Sequence, residues 1–532
     1  MKTFVILLAM AVTMGGAKAA RYDVAEKDIA TLQADLSAGR VTSEDLVRAY
    51  LARIDRLDRR GPRLQSVIAI NPNALADARA LDSERRAKGA RGPLHGIPIL
   101  VKDNIETADP IATTAGSLAL KDNITHRDSP AVARLRGAGV IILGKTNLSE
   151  WANIRSSRSI SGWSAIGGLT RNPYVLDRSA CGSSSGSGSA VAASLAAAAL
   201  GSETDGSLVC PGSINGVVAL KPTVGLVSRT HIIPISHSQD TAGPMARSVA
   251  DVALLVSVMA ATDPDDPATA EADAHKSDYA NQFDSASLTG KRLGVIVPDA
   301  GTVPSETDAV FAEAVAALKA QGATIVEIRE LAPPPPDIGT TELTVLEFEL
   351  RHDLNAYLAS LPPGQKIKTL ADAIDFNDAT PRETALFGQD IFTKAQSLGD
   401  LTDPAYVKAR DDLRNYSRSV LDKLFTENHL DALIRSTDDA SFRIDIAKGD
   451  NDTSNSSFLP ATAGYPHLTV PMGLVRGLPV GLSFIGPAWS EASLLALGHA
   501  FEQATHARKP PAFLPSLEAE PDVAKAFEPQ AR

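Results

Sequence analysis

The alternation of apolar and polar positions predicts a chain of mixed α and β elements. Thr42-x-x-Asp45 has the form of a capping box, and Leu46, Tyr50, Ile54 and Leu57 follow at helical spacing, so an amphipathic helix is expected over 42–58. Ala131 to Leu135 reads as helix, and Val140-Ile141-Ile142-Leu143 as a buried strand. Residues 293–297 predict a strand, 306–321 a helix and 323–328 another strand. That order is a βαβ unit, whose two strands run parallel because a helix carries the chain back across the sheet. Near the end, 468–471 and 480–485 predict strands and 492–504 a helix. Such a mixture implies an α/β fold, with helices covering a mostly parallel or mixed sheet.

Composition shifts in two places. Residues 181–207 are dominated by Gly, Ser and Ala, while 262–285 and 332–340, including Pro333 to Pro336, are rich in Pro, Asp and Ala. The latter read as surface connections bounding a more variable middle section. No internal repeat is visible. A length of 532 residues would by itself suggest about two to four domains. The formal net charge of −11 argues against a nucleic-acid binder, which must neutralise phosphates.

The N-terminus has three parts: Met1-Lys2, an apolar run from Phe4 to Val12, and Ala17-Lys18-Ala19 before Ala20. This is the pattern of a cleavable signal peptide over 1–19, which leaves 20–532 as the mature domain and a periplasmic or secreted protein. The run is about half the ~20 residues a membrane span needs. Two cysteines, Cys181 and Cys210, are too few to build the fold from disulfides. Sequence does not show whether their Cα atoms come within bridging range. They are read here as two buried thiols, with one disulfide as the alternative.

Two literal motif matches are set aside on physical grounds. Gly139 to Thr146 spells G-x-x-x-x-G-K-T, the phosphate-binding loop pattern, but its interior Val-Ile-Ile-Leu favours being a strand. Gly182-Ser183-Ser184-Ser185-Gly186 spells G-x-S-x-G, which would make Ser184 the nucleophile of an α/β-hydrolase-type esterase. That elbow should follow an apolar strand, whereas residues 171–180 read as turn and loop. His429, His467 and His499 stand in no distinctive setting. There is no H-E-x-x-H and no Cys/His cluster with zinc spacing, so no metal site is assigned.

What remains is a serine-rich loop, 181–189, a small apolar run from Ala190 to Leu200 expected to be helical, and a second turn, Gly201-Ser-Glu-Thr-Asp-Gly-Ser207. Backbone amides of Thr204, Asp205 and Gly206 offer an oxyanion hole. Together with Gly92-Pro-Leu-His-Gly-Ile-Pro-Ile-Leu-Val-Lys102-Asp103-Asn104, this stretch resembles the amidase signature family. Ser183 and Ser207 have that family's spacing, and the blocks 216–229, 239–248 and 463–481 continue the match. Cys181, Ser185 and Asp205 stand where the family usually has glycine; these variants resemble its peptide amidase branch.

The resemblance implies a single large domain built on a twisted mixed sheet, with Ser207 as nucleophile, Ser183 as proton shuttle and Lys102 as base. It places the shuttle after a cis peptide bond, Gly182–Ser183, and needs no metal or organic cofactor. A small amide or peptide amide is the implied substrate; an amidotransferase-like subunit is the alternative within the family. Lys102 must be neutral to act, and a free lysine is roughly 0.04% neutral at pH 7. Burial among Ile97, Ile99 and Leu100 is expected to lower its pKa, with Asp103 facing the other side of the strand.

Overall fold

The computed structural model describes residues 22–297, 304–451 and 456–527. The segment read as a signal peptide lies outside these. In chain order the strands are β1 (Val67–Ile70), β2 (Pro98–Lys102), β3 (Ile141–Thr146), β4 (Trp163–Ser164), β5 (Gly168–Leu169), β6 (Ala198–Glu203) and β7 (Val218–Lys221). They continue as β8 (Thr241–Ala246), β9 (Arg292–Ile296), β10 (Thr324–Ile328), β11 (Ala432–Ser436), β12 (His467–Val475) and β13 (Leu478–Ile485). β4 and β5 form a separate small pair; the other eleven make one sheet in the order β1-β3-β2-β6-β8-β7-β12-β13-β11-β9-β10. Strands β3, β2 and β6 are mutually parallel, as are β11, β9 and β10, and the pairs between these groups are antiparallel. Helices flank this mixed sheet in a single α/β domain, as the resemblance implied. No described helix is long and apolar enough to cross a membrane.

The predicted elements are found with small shifts. Thr42 and Asp45 close a reciprocal capping box on the helix Ser43–Arg53, whose Leu46, Val47 and Tyr50 are buried, and a π-helical turn, Ile54–Arg59, continues it. The expected βαβ unit is β9, the helix Glu306–Ala320 and β10, with Thr324 opposite Arg292 in parallel register. β12 and β13 pair as an antiparallel hairpin. The discounted phosphate-loop match lies largely within β3, where Lys145 is buried and donates to Thr113 Oγ1 at 2.8 Å.

Two expectations are corrected. The run Ala190 to Leu200 is not one helix: the helix is Ser185–Ala192, and the chain enters β6 at Ala198. Within β6, Gly201 serves close approach. A Cβ on Gly201 would lie 2.6 Å from Leu208 Cδ2 and 2.8 Å from Ser184 Oγ. The cysteines are not thiols: Cys181 and Cys210 form a disulfide, their Cα atoms 6.0 Å apart and 29 residues apart in sequence. Compact packing of the serine loop against the helix Val209–Ile214 brings them into range, which sequence alone does not encode. Closing a loop of that length stabilises a fold by about 3–4 kcal/mol on the chain-entropy model.

The middle section is helical: Ile338–Ala359, Leu370–Ala379, Asp390–Ser397 and Pro404–Glu427. It carries apolar clusters of its own. One joins Leu350, Leu354 and Phe392 to Trp151, Ile154, Ile233 and Ile235, so this section packs beside the serine-bearing loops.

Candidate active site

β2 and β6 are parallel neighbours, with Val101 opposite Leu200. Lys102 ends β2, and the turn carrying Ser207 follows β6, so both lie at the carboxyl end of adjacent strands, where α/β sheets commonly hold their ligands. Lys102 is fully buried. Its Nζ lies 2.8 Å from Ser183 Oγ, 2.9 Å from Ser202 Oγ and 3.1 Å from Ser202 O. Asp103 turns the other way, accepting hydrogen bonds from the amide and hydroxyl of Thr114, as strand alternation required.

Burial lowers the pKa of Lys102 to about 7, against the opposing pull of Asp240 and Glu203. A neutral amine has two N–H donors and one lone pair. The carbonyl of Ser202 can only accept, and Ser202 Oγ is available to accept a second N–H. The lone pair is then left for the hydroxyl of Ser183. With the two N–H groups so placed, this geometry allows Lys102 to take a proton from Ser183.

The Gly182–Ser183 peptide bond is cis. Ser183 is completely buried, whereas Ser207 is 8% exposed and lines a cavity of about 260 Å³ with Gly182, Thr204, Asp205, Gly206 and the disulfide. Among the described residues no hydrogen bond joins Ser183 to Ser207. Ser183 faces a small adjoining cavity that shares Ala152, Thr204 and Ile235 with the larger one. The structure therefore closes the Lys102–Ser183 contact and sets Ser207 at the cavity wall beside it.

The turn from Glu203 to Ser207 is held from several sides. Glu203 Oε2 accepts the amides of Leu208 at 2.7 Å and Val209 at 3.0 Å, capping the helix Val209–Ile214. Thr204 Oγ1 donates to Asp240 at 2.6 Å, and Gln239 Nε2 donates to Thr204 O at 3.3 Å. Gly206 has φ +75°, and a Cβ there would meet Ser457 Oγ at 3.0 Å, so this turn requires glycine. The amides of Gly206 and Ser207 donate to no backbone acceptor among the described residues. Such a pair of N–H groups beside a cavity can stabilise a developing oxyanion.

Ser184, the alternative nucleophile, is buried with its Oγ donating to Ser202 O at 3.0 Å. Among the described residues no histidine lines the cavity that holds Ser207. His467 is buried near Ser483, and His499 stacks on Phe283. The remaining loop serines are structural: Ser187 Oγ donates to Leu200 O and Ser189 Oγ to Arg171 O. Sequence reasoning missed Ser202, Gln239 and Asp240 as members of this site. Their signal was present, since Ser202 adjoins Glu203 and the other two open a matching block.

A family model for amidases matches residues 45–495. A protein named a probable amidase in Arabidopsis thaliana is 37% identical over 503 residues, covering 93% of each chain. A putative amidase of Schizosaccharomyces pombe is 34% identical over 512 residues, covering 91% of this chain and 86% of that protein. Among solved structures, native peptide amidase from Stenotrophomonas maltophilia is 49% identical with a TM-score of 0.86, covering 92% of this chain and 99% of that one.

The burial of Lys102 generates a prediction about stability. Its pKa is about 7 when folded, against an ordinary 10.5. Below pH 7 the folded protein must keep a buried charge, and that cost fades as pH rises from 7 towards 10.5. Lys102→Met should therefore be more stable than the parent by about 1–2 kcal/mol at pH 6. Ser202 would keep Asn104 and Ser184 as partners. Denaturant unfolding at pH 6 and pH 9 checks this: the gain should shrink at pH 9, and a variant less stable at pH 6 would contradict it.

Proposed function

The chain belongs to the amidase family and is an amide-hydrolysing enzyme, and from that premise we propose that it works through an acyl-enzyme on Ser207. The observation that carries this reading is the buried Lys102 Nζ, 2.8 Å from Ser183 Oγ, behind the turn that presents Ser207 to the cavity. A serine hydroxyl attacks an amide well only when a base removes its proton. In the proposed cycle Ser207 Oγ bonds to the substrate carbonyl carbon while its proton passes to Ser183, and the proton of Ser183 passes to neutral Lys102. The oxyanion rests on backbone N–H groups of the turn Thr204, Asp205, Gly206 and Ser207. The relay then returns a proton to the leaving amine as the C–N bond breaks. Water attacks the acyl-enzyme by the same path and releases the acid.

Ser207→Ala should lose essentially all amide hydrolysis while remaining folded. Lys102→Ala and Ser183→Ala should each slow acylation by orders of magnitude, and the double variant little more than the worse single one, because both serve one relay. Additive losses in single-turnover kinetics would mean separate roles. The pH profile follows from the same group: kcat/KM should fall as pH drops below about 7, where Lys102 becomes protonated, and stay level above it.

We further propose that the substrates are C-terminal peptide amides, releasing ammonia. The 49% identity to peptide amidase and the variants Cys181, Ser185 and Asp205 support this. The cavity that holds Ser207 is also lined by Leu346, Phe442, Asp438 and Asp450, which would form a wall for the acyl part, and a primary amide leaves as ammonia, which needs little room. A blocked dipeptide amide should yield ammonia with no cleavage of its internal bond. Hydrolysis of simple aryl amides alone, with none of peptide amides, would keep the amidase and discard this specificity.

The protein is proposed to act outside the cytoplasm, in the periplasm or after secretion. The tripartite pattern over 1–19 supports this, as does the Cys181–Cys210 disulfide, a bond favoured in oxidising compartments. Sequencing the N-terminus of protein recovered from periplasm or medium should give a chain starting at Ala20. Finding only the intact Met1 chain in the cytoplasm would reject export.

A further inference from the structure

A group of metal-ligand residues lies away from the serines, where the helix Ile338–Ala359 meets the loop leading into β8. Glu349, His352 and Asp353 stand at spacings of three and four on that helix, so they share one face. His237, on the loop, projects onto the same face. One ligand atom each from His237, His352 and Asp353 lies within 4.8 Å of the others. The carboxylate of Asp353 sits between the two imidazoles: its Oδ2 is 2.9 Å from His237 Nδ1 and its Oδ1 is 2.8 Å from His352 Nδ1.

A second feature is independent of that convergence. The other ring nitrogen of His237, Nε2, lies 3.3 Å from Glu349 Oε1. Glu349 is fully buried and is fixed by Ser238 Oγ at 2.5 Å, Tyr406 OH at 2.7 Å and the hydroxyl of Ser236. Histidines that bind metals characteristically donate their second N–H to an anchored carboxylate, which sets the tautomer and orients the ring. His237 and His352 are 41% and 59% exposed, so an ion can reach them from solvent.

We propose that His237, His352 and Asp353 form a binding site for a divalent transition-metal ion, with Glu349 orienting His237. Two imidazoles and one carboxylate suit Zn²⁺ and its first-row neighbours better than the oxygen-seeking Mg²⁺ or Ca²⁺. The site takes no part in the Ser207 chemistry, and no reaction step passes through it. Its reach is mechanical. The loop that supplies His237 also supplies Gln239 and Asp240, which hold the carbonyl and hydroxyl of Thr204. The helix that supplies His352 also supplies Leu346 to the cavity wall. A bound ion would clamp that loop to that helix and steady the turn between Glu203 and Ser207.

The test uses purified, tag-free full-length protein, stripped with a chelator and dialysed, with Zn²⁺ as the probe. Calorimetric titration should show one ion per chain, and Zn²⁺ at about a hundred times its Kd should raise Tm by about 2–3 °C. Co²⁺ in its place should give visible bands from a coordinated ion. His352→Ala and Asp353→Asn should each weaken binding at least about tenfold, in line with the loss of one ligand or its support. The unloaded His352→Ala protein should keep the parent's basal amide hydrolysis. Absence of saturable binding near one ion per chain would overturn the proposal, and so would equal Zn²⁺ affinity in the parent and both variants. Loss of activity in the stripped parent would also overturn it, by making the ion part of the reaction.

Discussion

The site depends on placing one lysine where water cannot reach it. A protonated ammonium in a dry interior is costly, so burial favours the neutral amine, and a neutral amine must still satisfy two donors and one acceptor. Lys102 meets that demand only because β2 and β6 run side by side, bringing Ser202 to the same level as the end of β2. The serine loop then brings a second hydroxyl to the same amine, that of Ser183 at 2.8 Å. Much of the local architecture follows from this arrangement. The small residues of the helix Ser185–Ala192 and of β6 let a loop, a helix and three strands converge within hydrogen-bond distance.

The same logic explains why so many polar groups are buried around the turn. Among the described residues the amides of Gly206 and Ser207, beside the cavity, donate to no backbone acceptor, and they keep that freedom only if the rest of the turn cannot collapse onto them. Glu203 takes the next two amides, Asp240 takes the Thr204 hydroxyl, and the disulfide ties the start of the serine loop to the helix after Ser207. Asp240 has a second effect. Its negative charge works against the depression of the Lys102 pKa, and its own pKa is pushed up to about 6 by burial. Asp240 and Glu203 together limit how far burial lowers the Lys102 pKa, which stands at about 7.

Local order was legible wherever one segment carried its own signal. The capping box at Thr42, the βαβ unit around residues 306–320 and the strands β12 and β13 each follow from periodicity and end chemistry, while the antiparallel pairing of the last two is seen only in the fold. Lys102, Ser183 and Ser207 stand out in the sequence only jointly, through spacing that resembles a family's, since each alone reads as an ordinary lysine or serine. Three things were not legible for a common reason. The split of 190–200 into helix and strand, the Cys181–Cys210 bond and the role of Asp240 all depend on which distant segment packs alongside. An alanine run favours helix by its own propensity, and only pairing with β2 and β8 on either side makes its end a strand. Ser202 was hidden similarly, because nothing local shows that its carbonyl and hydroxyl both face another strand's lysine.

The division of labour between sheet and helical section follows from rigidity. Lys102 and Ser202 stand on central strands whose neighbours are paired on both sides, so their separation can hardly vary. The wall opposite Ser207 is different. Leu346 comes from the helix Ile338–Ala359, which packs through apolar clusters of its own rather than through sheet hydrogen bonds. Such packing can be exchanged residue for residue without moving a strand, whereas a shift of β6 by one residue would carry Ser202 to the opposite face of the sheet. The helical section can therefore change the shape of that wall by exchanging its residues, while Lys102, Ser202 and the turn stay fixed by the strands that hold them.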